Sequence, residues 1–362
     1  MTYDPEKPYQ ELPLLPPEEI ELESKAILRA LVKAHGSLAA LEERCSTLPN
    51  ASVLIAAIPL LEAQASSEIE NIMTTTDELF KSLATGGTND NLATKETMRY
   101  REALWEGFNS LEARPLTAQS TSELCTILRG VKTDFRTNTG TRIANAATGK
   151  ILYSPPEGQH VILDKLSNWE KFYHHETELH PLIRMAVCHY QFEAIHPFVD
   201  GNGRTGRIIN VLILIEQGLL SNPVLFLSQY IIENKQKYYT LLNKVTTHDA
   251  WEEWILFMLD AVHTQSQRTL KKIKLIKEQQ DTFTQEMKDK APKVYNRDLI
   301  DLLFELPYCR IDNLVEAKIV ERHAAGRQLN KLVELGLLDK IHMGRTKLFI
   351  NTGFMNVLKE DA

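Results

Sequence analysis

The sequence predicts a mainly α-helical protein with one small β-hairpin in its middle and a separate C-terminal unit of three helices and a second hairpin. Three observations predict it. Apolar residues recur at helical spacing along most of the chain, as at Ile183, Ala186, Val187 and Tyr190. The stretch 136–160 breaks that rhythm: it is rich in Asn, Thr and Gly, holds Pro155-Pro156, and contains one short β-prone run, Ile151-Leu152-Tyr153. Near the C-terminus two short apolar runs, 337–341 and 347–350, flank Gly344-Arg345.

In chain order, residues 1–17 carry five prolines and read as an extended arm. Ile20, Ala26, Ile27, Ala30, Leu31 and Ala34 mark a first helical face. A second helix is expected from about Pro59, because proline suits a first turn, and is expected to end near Thr74–Thr76. Further helices are expected at 94–110, 119–131, 162–174, 181–193, 203–217 (closed by Gly218), 229–245 and 249–290. Beyond His263 the last of these is polar on most sides and reads as a solvated connector. Helices at 296–306, 311–317 and 321–336, followed by the second hairpin, describe a winged helix. The domain division expected is 1–95, 96–265, a connector 266–291 and 292–362, since 362 residues exceed one ordinary core.

Composition excludes several classes. A net charge of −7 argues against a chain that coats nucleic acid along its length. The four cysteines stand far apart, outside any metal or redox spacing, and read as buried thiols in a reducing compartment. No apolar run approaches the roughly twenty residues that span a bilayer, so no membrane partner is expected and the cytoplasm is the expected location.

The chemistry is concentrated in HPFVDGNGRTGR at 196–207. GNGRTG matches GxGxxG, but no βαβ unit surrounds it and no Walker lysine follows. What it offers is an anion site. Gly201, Gly203 and Gly206 let backbone N–H groups converge, and a helix starting near 203 adds its positive end. Arg204 and Arg207 are placed to reach a polyphosphate, Asp200 is a natural Mg²⁺ ligand beside it, and His196 suits a general base.

This segment resembles the motif of the Fic family, HxFx(D/E)GNGRxxR, at every specified position. The resemblance implies a helical Fic core and transfer of AMP from ATP to Ser, Thr or Tyr hydroxyls of target proteins. It implies that His196 takes the hydroxyl proton and Asp200 holds Mg²⁺. Gly201, Asn202, Gly203, Arg204, Thr205, Gly206 and Arg207 would form the nucleotide contacts, with Arg207 at the γ-phosphate. Relatives that phosphorylate carry a lysine where this chain has Gly201. The segment SSEIEN at 66–71 is similar to the family's inhibitory motif (S/T)xxxE(G/N), through Ser66, Glu70 and Asn71. It implies that Glu70 pairs with Arg207 and excludes the productive ATP pose. The stretch 151–158 resembles the family's flap, on which a target docks as an added strand, and Tyr238 and Tyr239 resemble a pair near the nucleoside. Where some relatives have an asparagine, this chain has Thr246. A homodimer and self-modification also follow from the resemblance.

Three other readings compete, one of them a pure binding module with a dead site, against which the complete motif speaks. A winged helix often reads DNA, but 293–352 holds ten Lys/Arg against eight Asp/Glu, and Arg322, Arg327 and Lys331 are interleaved with Glu321 and Glu334, a thin phosphate-gripping surface. Alternatively the same site could remove AMP, with Glu70 aligning a water.

Overall fold

Residues 3–18, 20–47, 52–87, 90–144, 148–344 and 346–360 are described by the computed structural model, and among them lie fifteen helices and five short strands. α1 (Lys25–Ser46) starts where the Ser24 side chain accepts the Ile27 N–H, which leaves Ile20 ahead of the helix. α2 (Ser52–Ile69) begins earlier than expected and carries Pro59 in its interior. An interior proline costs about 3 kcal/mol. Val53, Leu54, Ile58, Leu60, Leu61 and Ile69 are all buried, at about 1.5–3 kcal/mol each, so burial wins. By length and composition alone α2 could cross a membrane, yet 72% of it is buried inside the molecule.

α3 (Thr76–Thr85) is unanticipated; Thr75 and Glu78 build its capping box and Gly86 closes it in the left-handed region. α4 (Leu92–Ser110) contains the expected division at residue 95, so no boundary falls there. α5 (Ala118–Arg129) leads to a two-stranded antiparallel hairpin, β1 (Ile143–Ala144) and β2 (Ile151–Tyr153), with Ile143 opposite Tyr153. At the centre α7 (Pro181–Ile195) packs on α8 (Asn202–Glu216), with α6 (Gln159–His175) behind α7 and α2, α4 and α5 around α8. The single helix expected at 229–245 is two, α9 (Leu227–Glu233) and α10 (Lys235–His248), broken at Asn234.

α11 (Trp251–Lys290) runs unbroken through the expected division at 265. It is not a solvated connector. Thr269, Ile273, Ile276 and Phe283 form a buried stripe, and the helix packs against α1 and the last helix of the chain. The expected reading overlooked that a narrow apolar stripe suffices when the facing helix supplies the rest.

The C-terminal unit comprises α12 (Arg297–Glu305), β3 (Tyr308–Cys309), α13 (Ile311–Glu316), α14 (Arg322–Glu334), β4 (Asp339–Met343), β5 (Thr346–Ile350) and α15 (Thr352–Lys359). Its antiparallel sheet has the order β3-β5-β4, so three helices and a hairpin form as expected, with β3 and α15 added. Gly344 has φ +60° in the β4–β5 turn, and Arg345 of the expected turn lies outside the described residues. The unit is joined to the rest: α12 packs on α2, Tyr308 and Lys359 both reach Asp77, and Lys272 donates to the Leu358 and Glu360 carbonyls at 3.0 and 2.7 Å. All four cysteines are buried with free thiols.

Candidate active site

The segment 196–207 is the joint between α7 and α8. His196 ends α7 with φ +49°, and its N–H bonds the Phe192 carbonyl, so the chain turns sharply and leaves the imidazole at the mouth of the joint. The loop is closed from inside. Asn202 accepts the Phe198 N–H and donates to the Phe198 carbonyl, both at 2.8 Å. Its side chain is therefore engaged with the loop, and only its backbone N–H remains for a phosphate. Gly201 has φ +90°, and a Cβ there would stand 3.1 Å from Cys125 Sγ. α8 then begins, with its first N–H groups lacking helical partners and pointing at the same space.

The arginines are buried and already paired. Arg204 lies 3.3 Å from Glu96 on α4 and 3.9 Å from Asp200. Arg207 is 1% exposed; its Nε donates to Ser66 Oγ at 2.8 Å, and one terminal nitrogen donates to the Ser66 carbonyl at 3.0 Å and to Glu70 at 2.8 Å. Glu70 also stands over the first turn of α8, where a Cβ on Gly203 would come within 2.5 Å of its Oε1. Burial pushes the Glu70 carboxyl up, but the charges of Arg207, Arg204 and Lys235 outweigh it and leave it below the ordinary carboxylate range. Asn71 takes φ +61° just after, which explains why this place asks for Asn or Gly. Lys235 holds the last carbonyl of α2, that of Ile69, at 2.6 Å.

Asp200 is half-exposed, with Arg129 3.4 Å away. Among the described residues no group of three His, Cys, Asp or Glu side chains could hold a metal ion. A lone exposed carboxylate fits Mg²⁺ only as a shared ligand, with phosphate oxygens and waters completing the octahedron. His196 is part-buried, and desolvation drives its imidazole down to about 4, helped by Arg136 and opposed by the Glu193 carbonyl, Glu70 and Asp200. It is neutral at pH 7 and free to accept a proton.

Residues 28–109 match the Fic/DOC family N-terminal region, 117–214 the Fic/DOC family itself, and 279–354 the C-terminal domain of SoFic-like protein adenylyltransferases. The chain belongs to the Fic/DOC family. It is 34% identical over 89 residues to protein adenylyltransferase Fic of Drosophila virilis, covering 25% of this chain and 17% of the fly protein. It is 28% identical over 189 residues to a probable protein adenylyltransferase of Aquifex aeolicus, covering 51% of this chain and 53% of that protein. The chain thus spans about a sixth of the one relative and half of the other. Its fold is that of a Fic family protein from Desulfovibrio desulfuricans G20, at TM-score 0.56 and 18% identity over 91% of this chain and 96% of that one. Fic-1 from C. elegans gives TM-score 0.53 at 20% identity over 68% and 74% of the two chains.

Against the Fic motif, the structure assigns some residues differently. Thr205 is fully buried beside Cys125, and Gly206 lets α8 approach α7, where a Cβ would lie 2.6 Å from Glu193 Oε1. Neither side faces the phosphate space, because helical periodicity turns them inward. Tyr238 is likewise core: its hydroxyl bonds His189 Nε2 at 2.8 Å. Tyr239, by contrast, is part-exposed in a cavity of about 320 Å³ between the flap and α10, with Ile143, Leu152, Tyr190 and Thr246. The Thr246 hydroxyl is engaged by Tyr190 at 2.9 Å.

The flap is anchored on both sides. Tyr153 donates to the Ala194 carbonyl at 2.8 Å. Along its outer edge lies the N-terminal arm: Tyr3 reaches the Leu152 carbonyl, the Tyr9 N–H bonds the Ser154 carbonyl at 2.9 Å, and Gln10 bonds both backbone groups of Glu157. A target strand expected along 151–158 would therefore have to displace the arm or use the outer edge of β1. Sequence reading missed three further residues: Glu96, Arg129 and above all Arg136. Arg136 is buried, and its guanidinium bonds the carbonyls of His196, Ile195 and Pro156, tying the catalytic loop to the flap. Its only local signal was a cation in a polar loop.

Proposed function

We propose that this chain transfers AMP from ATP to hydroxyl side chains of target proteins, itself among them, and that it rests in a state held inactive by Glu70. The observation that carries the reading is the Glu70–Arg207 pair over the first turn of α8, at 2.8 Å. An anion stands where a helix N-terminus and an otherwise uncompensated buried arginine would receive a phosphate. With Glu70 withdrawn, Arg207 would take the γ-phosphate. The backbone N–H groups of Asn202, Gly203 and Arg204 would hold the inner phosphates. Asp200 would hold Mg²⁺, which neutralises phosphate charge when bound. The base would enter the apolar cavity beside Tyr239, and a target strand would add to the free edge of β1.

In the chemical step a target hydroxyl oxygen bonds to the α-phosphorus, and the bond from that phosphorus to the β-bridging oxygen breaks. AMP stays on the target as a phosphodiester, pyrophosphate leaves, and the hydroxyl proton passes to the neutral His196 imidazole. Positioning by Arg207 and Arg204 does most of the work. The seating of Arg136 keeps His196 and the flap in a fixed relation while a target docks.

The test uses ATP labelled on its α-phosphate with Mg²⁺, and the wild type, Glu70→Gly and Glu70→Gly/His196→Ala, with cytosolic extract as bait. Label retained on protein in Glu70→Gly alone is expected. Absence of label in all three, with nucleotide bound, would remove the transferase reading and favour AMP removal.

A further inference from the structure

One carboxyl in the site has no task in this scheme. Glu193 lies on α7 one turn before His196, and its Oε1 is buried without a hydrogen-bond partner. It rests against Gly206, whose missing side chain is what admits it. Burial keeps this carboxyl up at about 7, with Arg207 drawing it down and Glu70 pushing it up. Glu193 also lines the cavity beneath the flap, together with Tyr190, Tyr239, Leu152 and Thr246.

Its place between two regions decides the reading. On one side stands Arg207, where the γ-phosphate is expected; on the other is the apolar cavity that suits a base. A nucleotide joining the two carries its sugar past Glu193. A ribose offers two adjacent hydroxyl donors, and a buried acceptor without a donor is an unmet half of such a bond. We infer that Glu193 accepts a hydrogen bond from the ribose hydroxyls of the bound nucleotide and selects ribonucleotides over deoxyribonucleotides. An acidic residue serves the same purpose in dinucleotide-binding folds, by the same donor–acceptor logic. Of the polar groups near it, His189 Nε2 is bonded to Tyr238, and Arg207 to Ser66 and Glu70.

The inference rests on the nucleotide reading above, and the test separates the two. Binding of ATP, 2′-deoxy-ATP and 3′-deoxy-ATP with Mg²⁺ is measured by calorimetry on Glu70→Gly, Glu70→Gly/Glu193→Ala and Glu70→Gly/Glu193→Gln. Loss of a buried hydrogen bond predicts that Glu70→Gly prefers ATP over at least one deoxy analogue by about tenfold. Glu193→Ala should bring the three ligands within about twofold, chiefly by weakening ATP. Glu193→Gln keeps a neutral acceptor in the same place and should retain part of the preference; it also guards against a folding defect in the alanine variant. Equal binding of the three nucleotides to Glu70→Gly, or a full preference in either Glu193 variant, overturns the inference and leaves the ATP site standing. No binding of any nucleotide to folded Glu70→Gly overturns the ATP site and the inference together.

Discussion

At the scale of single residues, burial sets the chemistry. His196 is desolvated and its imidazole is held down at about 4, so it stays neutral until the pH is well below its ordinary value. The acid limb of kcat/KM reports the free enzyme, so in Glu70→Gly it should lie near pH 4–5, with a plateau from pH 6 to 8. Removing Glu70 also removes one group that raises His196, which moves the limb down, not up. A limb near pH 6.5 would mean that the imidazole is solvated in the working enzyme. Arg207 makes the second residue-scale prediction. A buried guanidinium stripped of its carboxylate is costly, by about 3–5 kcal/mol where burial is complete, and Glu70 is only part-buried, so the loss should be smaller. Glu70→Gly should therefore melt lower than wild type and recover with excess ATP, while wild type gains little from ATP. Legibility followed the same division. The chemistry of 196–207 could be read because all its groups are adjacent in sequence. Glu96, Arg129, Arg136 and Glu193 could not, because each acts on a partner that only the fold brings near. Thr205, Gly206, Tyr238 and the side chain of Asn202 were over-read: the turn of the helix or the closure of the loop points each inward.

At the scale of elements, the proposed inhibition depends on where α2 sits. It is fixed at mid-length by Glu62, which is 1% exposed and accepts the Ser228 N–H at 2.9 Å, the Ser228 hydroxyl and the Tyr100 hydroxyl. It is fixed at its end by Lys235 on the Ile69 carbonyl and by Ser66 on Arg207. The helix then stops through a left-handed Asn71, which swings Glu70 over α8. A β-branched residue in that conformation costs about 1–2 kcal/mol or more. Asn71→Val should therefore loosen the inhibitory turn and raise basal labelling about five- to thirtyfold, short of Glu70→Gly, while Asn71→Gly stays repressed. Equal labelling in the two Asn71 variants would mean that the turn does not set the Glu70 position. Acidity gives a further check. A depressed carboxylate keeps its contribution above its ordinary value near 4.5 and loses it as pH falls through its lower folded value, so repression should persist at pH 5–6. Helix existence was legible here from apolar spacing, but not the start of α2 or the presence of α3. The run at 53–58 is apolar on all sides and carries no period, and the only mark of α3 was its Thr75–Glu78 box.

At the scale of the whole molecule, the C-terminal unit is joined to α2 and α3. α12 packs on α2, and Asp77 at the start of α3 receives both the Tyr308 hydroxyl from β3 and Lys359 from α15. Burial raises the Asp77 carboxyl, but Lys359 and Tyr308 outweigh it and hold it below its ordinary range. On α14, the helix that would face a DNA groove, Arg322 is paired with Asp312 and Lys331 with Glu334. The contacts of the unit within the chain thus include those to α2 and α3. Asp77→Ala removes both anchors at a site that is part-exposed, where such pairs contribute about 1 kcal/mol to stability. The melting temperature should hardly change. If the C-terminal unit steadies the inhibitory turn, basal labelling should still rise severalfold, and Tyr308→Phe should give part of that rise because it removes one of the two anchors. A labelling level identical to wild type in Asp77→Ala, with the fold intact by circular dichroism, would show that α2 keeps Glu70 in place through Glu62, Ser66 and Lys235 alone.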